Sequence, residues 1–462
     1  MKSERRYVSV FPESLYRAVV LALLFLGVTL ASPRAEASTF VYVTNFFTGN
    51  TVTVIDSASN MVVAIIPVGT LPTGVAITPD AAHLYVANAV DNTVSVIDTA
   101  TNTVVATIAV GTGPTPVAVT PDGTHAYVGN EASNNVSVID TATNTVVATV
   151  AVGLQPVSVA ITPDGAHAYV SNINSSTVTV IDTASNMVSA TLPLVTPAGV
   201  AITPDGTHAC VTNVSGNSVA VLETATNAMV ATVGVGSQPG NVAITPDGTH
   251  AYVTDQGSND VAVIDTATNT LVTTVAAGAF PLGVAITPDG SLVYVTNLST
   301  VNVLVIGTAT NTVVATVPVG GVSFGVAITP QTLIPFQAMT ARAEINPAEG
   351  EFEVDVNFTL GAASKGVHPL TEDVKLQVGN FSITIPAGSF TGNHIEFFKF
   401  EGVIGGVRLA ARITPRGDHR FTFRAHGQGA NLNGTTNPVT VGLVIGKDGG
   451  STSIEAVFGD PK

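Results

Sequence analysis

Five histidines recur at even intervals along this 462-residue chain: His83, His125, His167, His208 and His250. Imidazoles ligate metals and move protons near neutral pH, so they are the first candidates for chemistry. Six aspartates follow a proline (Asp80, Asp122, Asp164, Asp205, Asp247 and Asp289), and five close a Val-Ile-Asp run (Asp56, Asp98, Asp140, Asp182 and Asp265). Their oxygens could attract calcium, but calcium needs six or more oxygens converging on one point. Each of these residues recurs once per unit of about 42 residues, and a repeat spreads its copies apart instead of gathering them. The expectation is therefore turn capping for the aspartates and strand-edge packing for the histidines. Glu223 and Gly307 occupy the Val-Ile-Asp slot in two copies, so no strict chemistry depends on it. Cys210 is the only cysteine. It rules out an internal disulfide, and with no adjacent base it reads as a buried, inert thiol. No Cys-x-x-Cys-His haem attachment and no Cys/His zinc spacing occurs. The sequence predicts neither metal nor cofactor.

The elements that hold these residues follow from the repeat. Its tyrosine slot falls at Tyr42, Tyr85, Tyr127, Tyr169, Cys210, Tyr252 and Tyr294, which makes seven copies. Each copy contains four short apolar or alternating runs; in one copy these are 159–162, 167–171, 178–181 and 187–193. Turn chemistry separates them, with Pro163-Asp164-Gly165 after the first and Asp182-Thr183-Ala184-Ser185-Asn186 after the third. Four strands per 42-residue unit describe a propeller blade. The chain enters the pattern on a second strand (40–43) and leaves on a first strand (326–330). The expected architecture is an all-β, seven-bladed propeller closed by pairing of its N- and C-terminal strands, which removes exposed ring edges.

With Tyr42-Val43-Thr44-Asn45 and variants such as Tyr294-Val295-Thr296-Asn297, the segment 40–330 resembles the YVTN family of β-propellers. That family is similar to archaeal surface-layer repeats and, in fold, to lactonase-like propellers. The resemblance implies the propeller fold; the motif residues it rests on are structural.

Antiparallel geometry sorts the loops. Turns after strands one and three are nearly identical between copies, so a surface needing unlike residues must use the other face. There the candidate contact residues are Phe46, Phe47, Leu71, Asp91, Glu131, Gln155, Gln238, Gln256, Phe280 and Phe324. This face holds no His, Lys, Arg or Cys, and its carboxylates are Asp91, Glu131, Asp255 and Asp260. General acid–base work calls for a histidine, or for carboxylates with separated pKa values in one pocket. The expectation is thus an exported binding or scaffold protein, or a cell-surface structural protein, with no catalysis. The alternative is a lactonase-like hydrolase whose site lies on the varied loops, and a redox propeller is a third reading. Exposed Phe and Leu suit a protein or glycan partner at the cell envelope.

Charge narrows the partners. The chain has a net charge of −16, and no Lys or Arg lies between Arg34 and Arg342. Such a surface repels nucleic acid, whose binding rests on Lys and Arg, as well as anionic lipid and phosphorylated metabolites. Residues 1–37 read as a signal peptide, with a basic start, an apolar run over 18–30 and Ala35-Glu36-Ala37 as the cleavage pattern. This predicts a secreted, periplasmic or cell-surface monomer without a membrane span. Residues 38–330 form the propeller, 331–350 a linker, and 351–462 a β-sandwich of alternating strands. In that last segment Arg408, Arg412, Arg420 and Arg424 are evenly spaced. They read as a solvated strand face or as a docking strip for an acidic partner.

Overall fold

The computed structural model describes residues 39–47 and 49–330, and beyond them 334–335, 338–346, 350–359, 374–378, 381–386, 389–393, 397–404, 406–416, 420–430, 432, 439–445, 448–454 and 457–458. Residues 1–37, read as the signal peptide, lie outside the described residues. Among the described residues no helix is long and apolar enough to cross a membrane.

Seven four-stranded antiparallel sheets form the propeller. In a typical blade the strands run Pro114–Val119, His125–Asn130, Asn135–Asp140 and Thr145–Ala151, from the axis outward. The second strand is buried along almost its whole length, while the outer strand is mostly exposed. A strand covered on both faces must be apolar or small at every position, and Ala-Tyr-Val-Gly supplies that. The core lies between blades: Tyr127, Val136 and Val138 of one blade pack against Ala168, Val170 and Ile181 of the next. Tyr127 also donates its hydroxyl across the interface to Asn186 Oδ1 at 2.7 Å. Burial pushes the Tyr127 hydroxyl up to about 12, so it stays a donor at any physiological pH. The inner strands approach closely enough that a Cβ on Gly74 would meet the Thr115 carbonyl oxygen at 2.0 Å.

The ring closes as expected. Ser323–Ile328 pairs with Phe40–Asn45, with Tyr42 opposite Ala327 and Val43 opposite Val326. Thr329 N donates to Phe40 O at 2.9 Å, and Tyr294 of the last blade donates to Asn60 Oδ1 of the first at 2.8 Å.

The second domain is a sandwich of a five-stranded and a seven-stranded sheet. Its core includes Phe352, Val354, Val356, Leu376, Ile385, Leu409, Ile413, Phe423 and Leu443. The expected linker 331–350 needs correction. Ala338–Asn346 is a strand that pairs along its length with Glu351–Thr359, because Ala343 and Ile345 alternate inward with Arg342 and Glu344 outward. Arg408, Arg412, Arg420 and Arg424 share an exposed face. Arg424 is bonded to Asp355, and Arg412 sits 3.9 Å over the Phe397 ring. The arginine strip thus carries local carboxylate and aromatic partners.

Candidate functional site

On the uniform face the repeated residues serve the turns. Thr78 Oγ1 donates to Asp80 Oδ1 at 2.6 Å and Ala82 N donates to the same oxygen at 2.9 Å. These donors hold the Asp80 carboxyl below the usual carboxylate range. Asp182 likewise accepts from Ser185 N and Ser185 Oγ. His125 Nδ1 lies 2.8 Å from Thr124 Oγ1, and the contact recurs at Thr207/His208 and Thr249/His250. A cleft of about 340 Å³ between two blades is lined by Asp122, His125, Tyr127, Asp164 and Asn186, whose side-chain oxygens are largely committed to this lattice. Among the described residues no three His, Cys, Asp or Glu side chains gather as a metal site. Cys210 is buried, which pushes its thiol up to about 11.

The varied face is built by one device used repeatedly. The residue before the proline that opens six of the inner strands sits in the left-handed region: Leu71 at φ 60°, Gln155 at 57°, Thr196 at 40°, Gln238 at 53° and Phe280 at 53°, with Gly113 at 65° in one copy. Except at Thr196, an asparagine 21 residues earlier caps its N–H. Asn50, Asn134, Asn217 and Asn259 Oδ1 accept from Leu71, Gln155, Gln238 and Phe280 N at 2.9–3.1 Å. The left-handed backbone disfavours any side chain but glycine's by about 1–2 kcal/mol. Bulky residues are kept here nonetheless, and such retained strain concentrates at functional sites.

The predicted contact residues fall into four groups around this face. Phe46, Phe47 and Phe324 form an aromatic cluster, with ring centroids 4.2 Å and 5.0 Å apart for the two pairs that include Phe46. Asp91 caps Thr70 N at 2.7 Å beside Leu71. Glu131 accepts from Gln155 Nε2 at 3.4 Å. Gln238, Gln256 and Phe280 surround the sixth blade's hairpin: Gln256 N donates to Gln238 O at 3.0 Å, and Phe280 N is held by Asn259.

That hairpin carries a feature the residue types alone did not bring out. In six blades the last residue of the second strand is asparagine: Asn45, Asn88, Asn130, Asn172, Asn213 and Asn297. Asn45 Nδ2 donates across its hairpin to Thr51 and Thr53, and Asn88 Nδ2 donates to Thr93 and Ser95. The sixth blade has Asp255 in that slot, directly opposite Asp260. Asp255 is fully buried. Its Oδ2 accepts from Gly236 N at 3.0 Å, and its Oδ1 receives no donor. Burial first, then the neighbouring Asp260 carboxyl, push Asp255 up to about 7. The raised Asp255 carboxyl lies directly opposite Asp260 in the strand pair, so the two carboxyls can hold one proton between them. Half-buried Asp260 is the solvent-side member, and Ser258 Oγ lies 3.3 Å from its Oδ1. Two carboxyls sharing one proton near neutral pH can take a proton from water and return one to a leaving group. The sequence signal was a broken repeat, Asp in an asparagine slot with a second Asp five residues on.

Residues 99–270 and 224–316 match the family model described as Lactonase, 7-bladed beta-propeller. The chain resembles the lactonase-like seven-bladed propellers, as the repeat implied. A solved structure of Kuenenia stuttgartiensis hydrazine synthase is similar at 27% identity, covering 56% of this chain and 90% of that one, with TM-score 0.53. A functionally unknown protein from Desulfotomaculum acetoxidans DSM 771 is similar at 21% identity over 63% of this chain and 99% of that one, TM-score 0.57. A candidate 6-phosphogluconolactonase from Bacteroides fragilis NCTC 9343 shares 15% identity over 64% of this chain and 99% of that one, TM-score 0.56. No curated protein matches. The lactonase match overturns the expectation of a non-catalytic binding, scaffold or cell-surface platform and favours the hydrolase alternative. The physical reason for the miss is local. The varied face is poor in catalytic groups by residue type, but strand register sets two of its four carboxylates, Asp255 and Asp260, directly opposite each other.

Proposed function

We propose that this chain is a lactonase-like hydrolase acting outside the cytoplasm, with Asp255 and Asp260 as its general acid–base pair. The observation that carries this reading is Asp255, a fully buried carboxyl pushed up to about 7 against a second carboxyl, in a slot that is asparagine in every other blade.

Lactone hydrolysis requires water to attack the ester carbonyl carbon, the ring C–O bond to break, and a proton to reach the departing ring oxygen. In this reading the ionised member of the pair takes the proton from water as its oxygen bonds to the carbonyl carbon. The pair then delivers a proton to the ring oxygen as the C–O bond breaks, giving the open hydroxy acid. The proton shared by Asp255 and Asp260 is restored at the end of the cycle. Gln256, on the same hairpin, has an amide N–H that can face the developing oxyanion.

The test is hydrolysis of uncharged γ- and δ-lactones by the full chain, followed by pH-stat. Asp260→Asn and Asp255→Asn should each lower kcat by about 10²–10⁴-fold. Asp255→Asn should fold normally, because asparagine fills the same slot in six other blades. Full activity in a well-folded D255N protein would reduce Asp255 to a protonated stand-in for asparagine and sink the assignment.

A further inference from the structure

The hairpin of the carboxyl pair is hydrogen-bonded to the loop of an exposed phenylalanine, in a propeller without fixed positive charge, and both facts bear on what it accepts. Building on the hydrolase reading above, we infer that the substrate is an uncharged lactone with an apolar substituent, its ring at Asp260, the solvent-side carboxyl of the pair, and its substituent on Phe280, and not a phosphorylated sugar lactone.

Phe280 is tied to the pair through a short chain of bonds. Its N–H donates to Asn259 Oδ1 at 3.0 Å, and Asn259 N donates to Asp255 O at 2.9 Å. The ring is 48% exposed and its backbone is left-handed at φ 53°. An exposed aromatic side chain in a conformation that glycine adopts freely, and that Gly113 occupies in the matching loop, adds little to folding. From Phe280 the chain passes into the inner strand Pro281–Ile286. There Gly283 lies so close to the next inner strand that a Cβ would meet Phe324 O at 2.5 Å. Gly283 and Phe324 help line an axial cavity of about 150 Å³, together with polar residues that include Thr115, Ser158 and Asn241.

Charge excludes the alternative. Recognition of phosphate uses Arg, Lys or a helix N-terminus. No Lys or Arg lies between Arg34 and Arg342, and every element among the described residues is a strand. The same face presents Asp91, Glu131 and Asp260, which repel a phosphate dianion.

The experiment measures kcat/KM of the full chain on a γ-lactone series with alkyl substituents from methyl to octyl, and on a phosphorylated sugar lactone. Expected is a rise of about fourfold per methylene over the first several carbons, with the phosphorylated compound poorer by roughly 100-fold or more. Phe280→Ala should flatten the series; Ala81, at φ 59°, shows that alanine is accommodated in this backbone conformation. A flat series in the wild type, equal use of the phosphorylated lactone, or an unchanged slope in F280A would overturn the inference. If activity were then still lost in D255N, the hydrolase reading would stand alone. Calorimetric binding of the alkyl lactones with the same chain-length slope but no turnover would instead keep the ligand class and overturn the hydrolase reading.

Discussion

At Asp255 one oxygen in place of an amide nitrogen separates the sixth blade from its neighbours. Four of the other blades seat an amide, Asn45, Asn88, Asn130 or Asn172, that donates across the hairpin. Asp255 can imitate that donation only while protonated, and so its folded state holds a proton that the unfolded chain releases near the ordinary carboxylate value. Raised folded pKa means that stability is greatest at low pH and is lost as pH rises from about 4 through about 7. The difference is on the order of 2–4 kcal/mol. Thermal unfolding from pH 5 to pH 8 should therefore fall more steeply for the wild type than for Asp255→Asn, with D255N the more stable protein at pH 8. Parallel pH profiles would show that Asp255 is ionised throughout.

At the scale of elements, the loop latch positions the site. Asn259 joins the hairpin 255–260 to the loop of Phe280, and itself sits at φ 61°. Asn259→Ala removes the acceptor for Phe280 N and leaves a left-handed alanine, at a combined cost of about 2 kcal/mol. Urea unfolding should register that loss, and activity on alkyl lactones should fall with it as the Phe280 loop comes free; unchanged stability would deny the latch its role. These elements were unevenly legible. The blade strands were plain because seven copies repeat the same periodicity and turns, so local ambiguity averaged out. The Asp255–Asp260 pair has a single copy and depends on which residue lies opposite which, a matter of register that residue types alone leave open. The strand Ala338–Asn346 escaped because Ala-Met-Thr-Ala-Arg-Ala-Glu-Ile-Asn has few branched apolar residues, and its partner strand supplies most of its reason to be extended.

For the whole molecule, closure completes the ring that carries the site. Ser323–Ile328 zips onto Phe40–Asn45, and that seam brings Phe324 against Phe46. Inter-blade tyrosine bonds, such as Tyr127 to Asn186 and Tyr294 to Asn60, hold neighbouring blades in register. A rigid ring lets one blade carry a costly buried carboxyl while the others remain regular. The most direct measurement is the pH dependence of kcat/KM on an uncharged alkyl lactone, wild type against Asp255→Asn. The account predicts an ionisation near pH 7 in the wild-type profile and residual, pH-insensitive activity in the variant. Identical profiles in the two proteins, or no turnover of any lactone by the wild type, would contradict it.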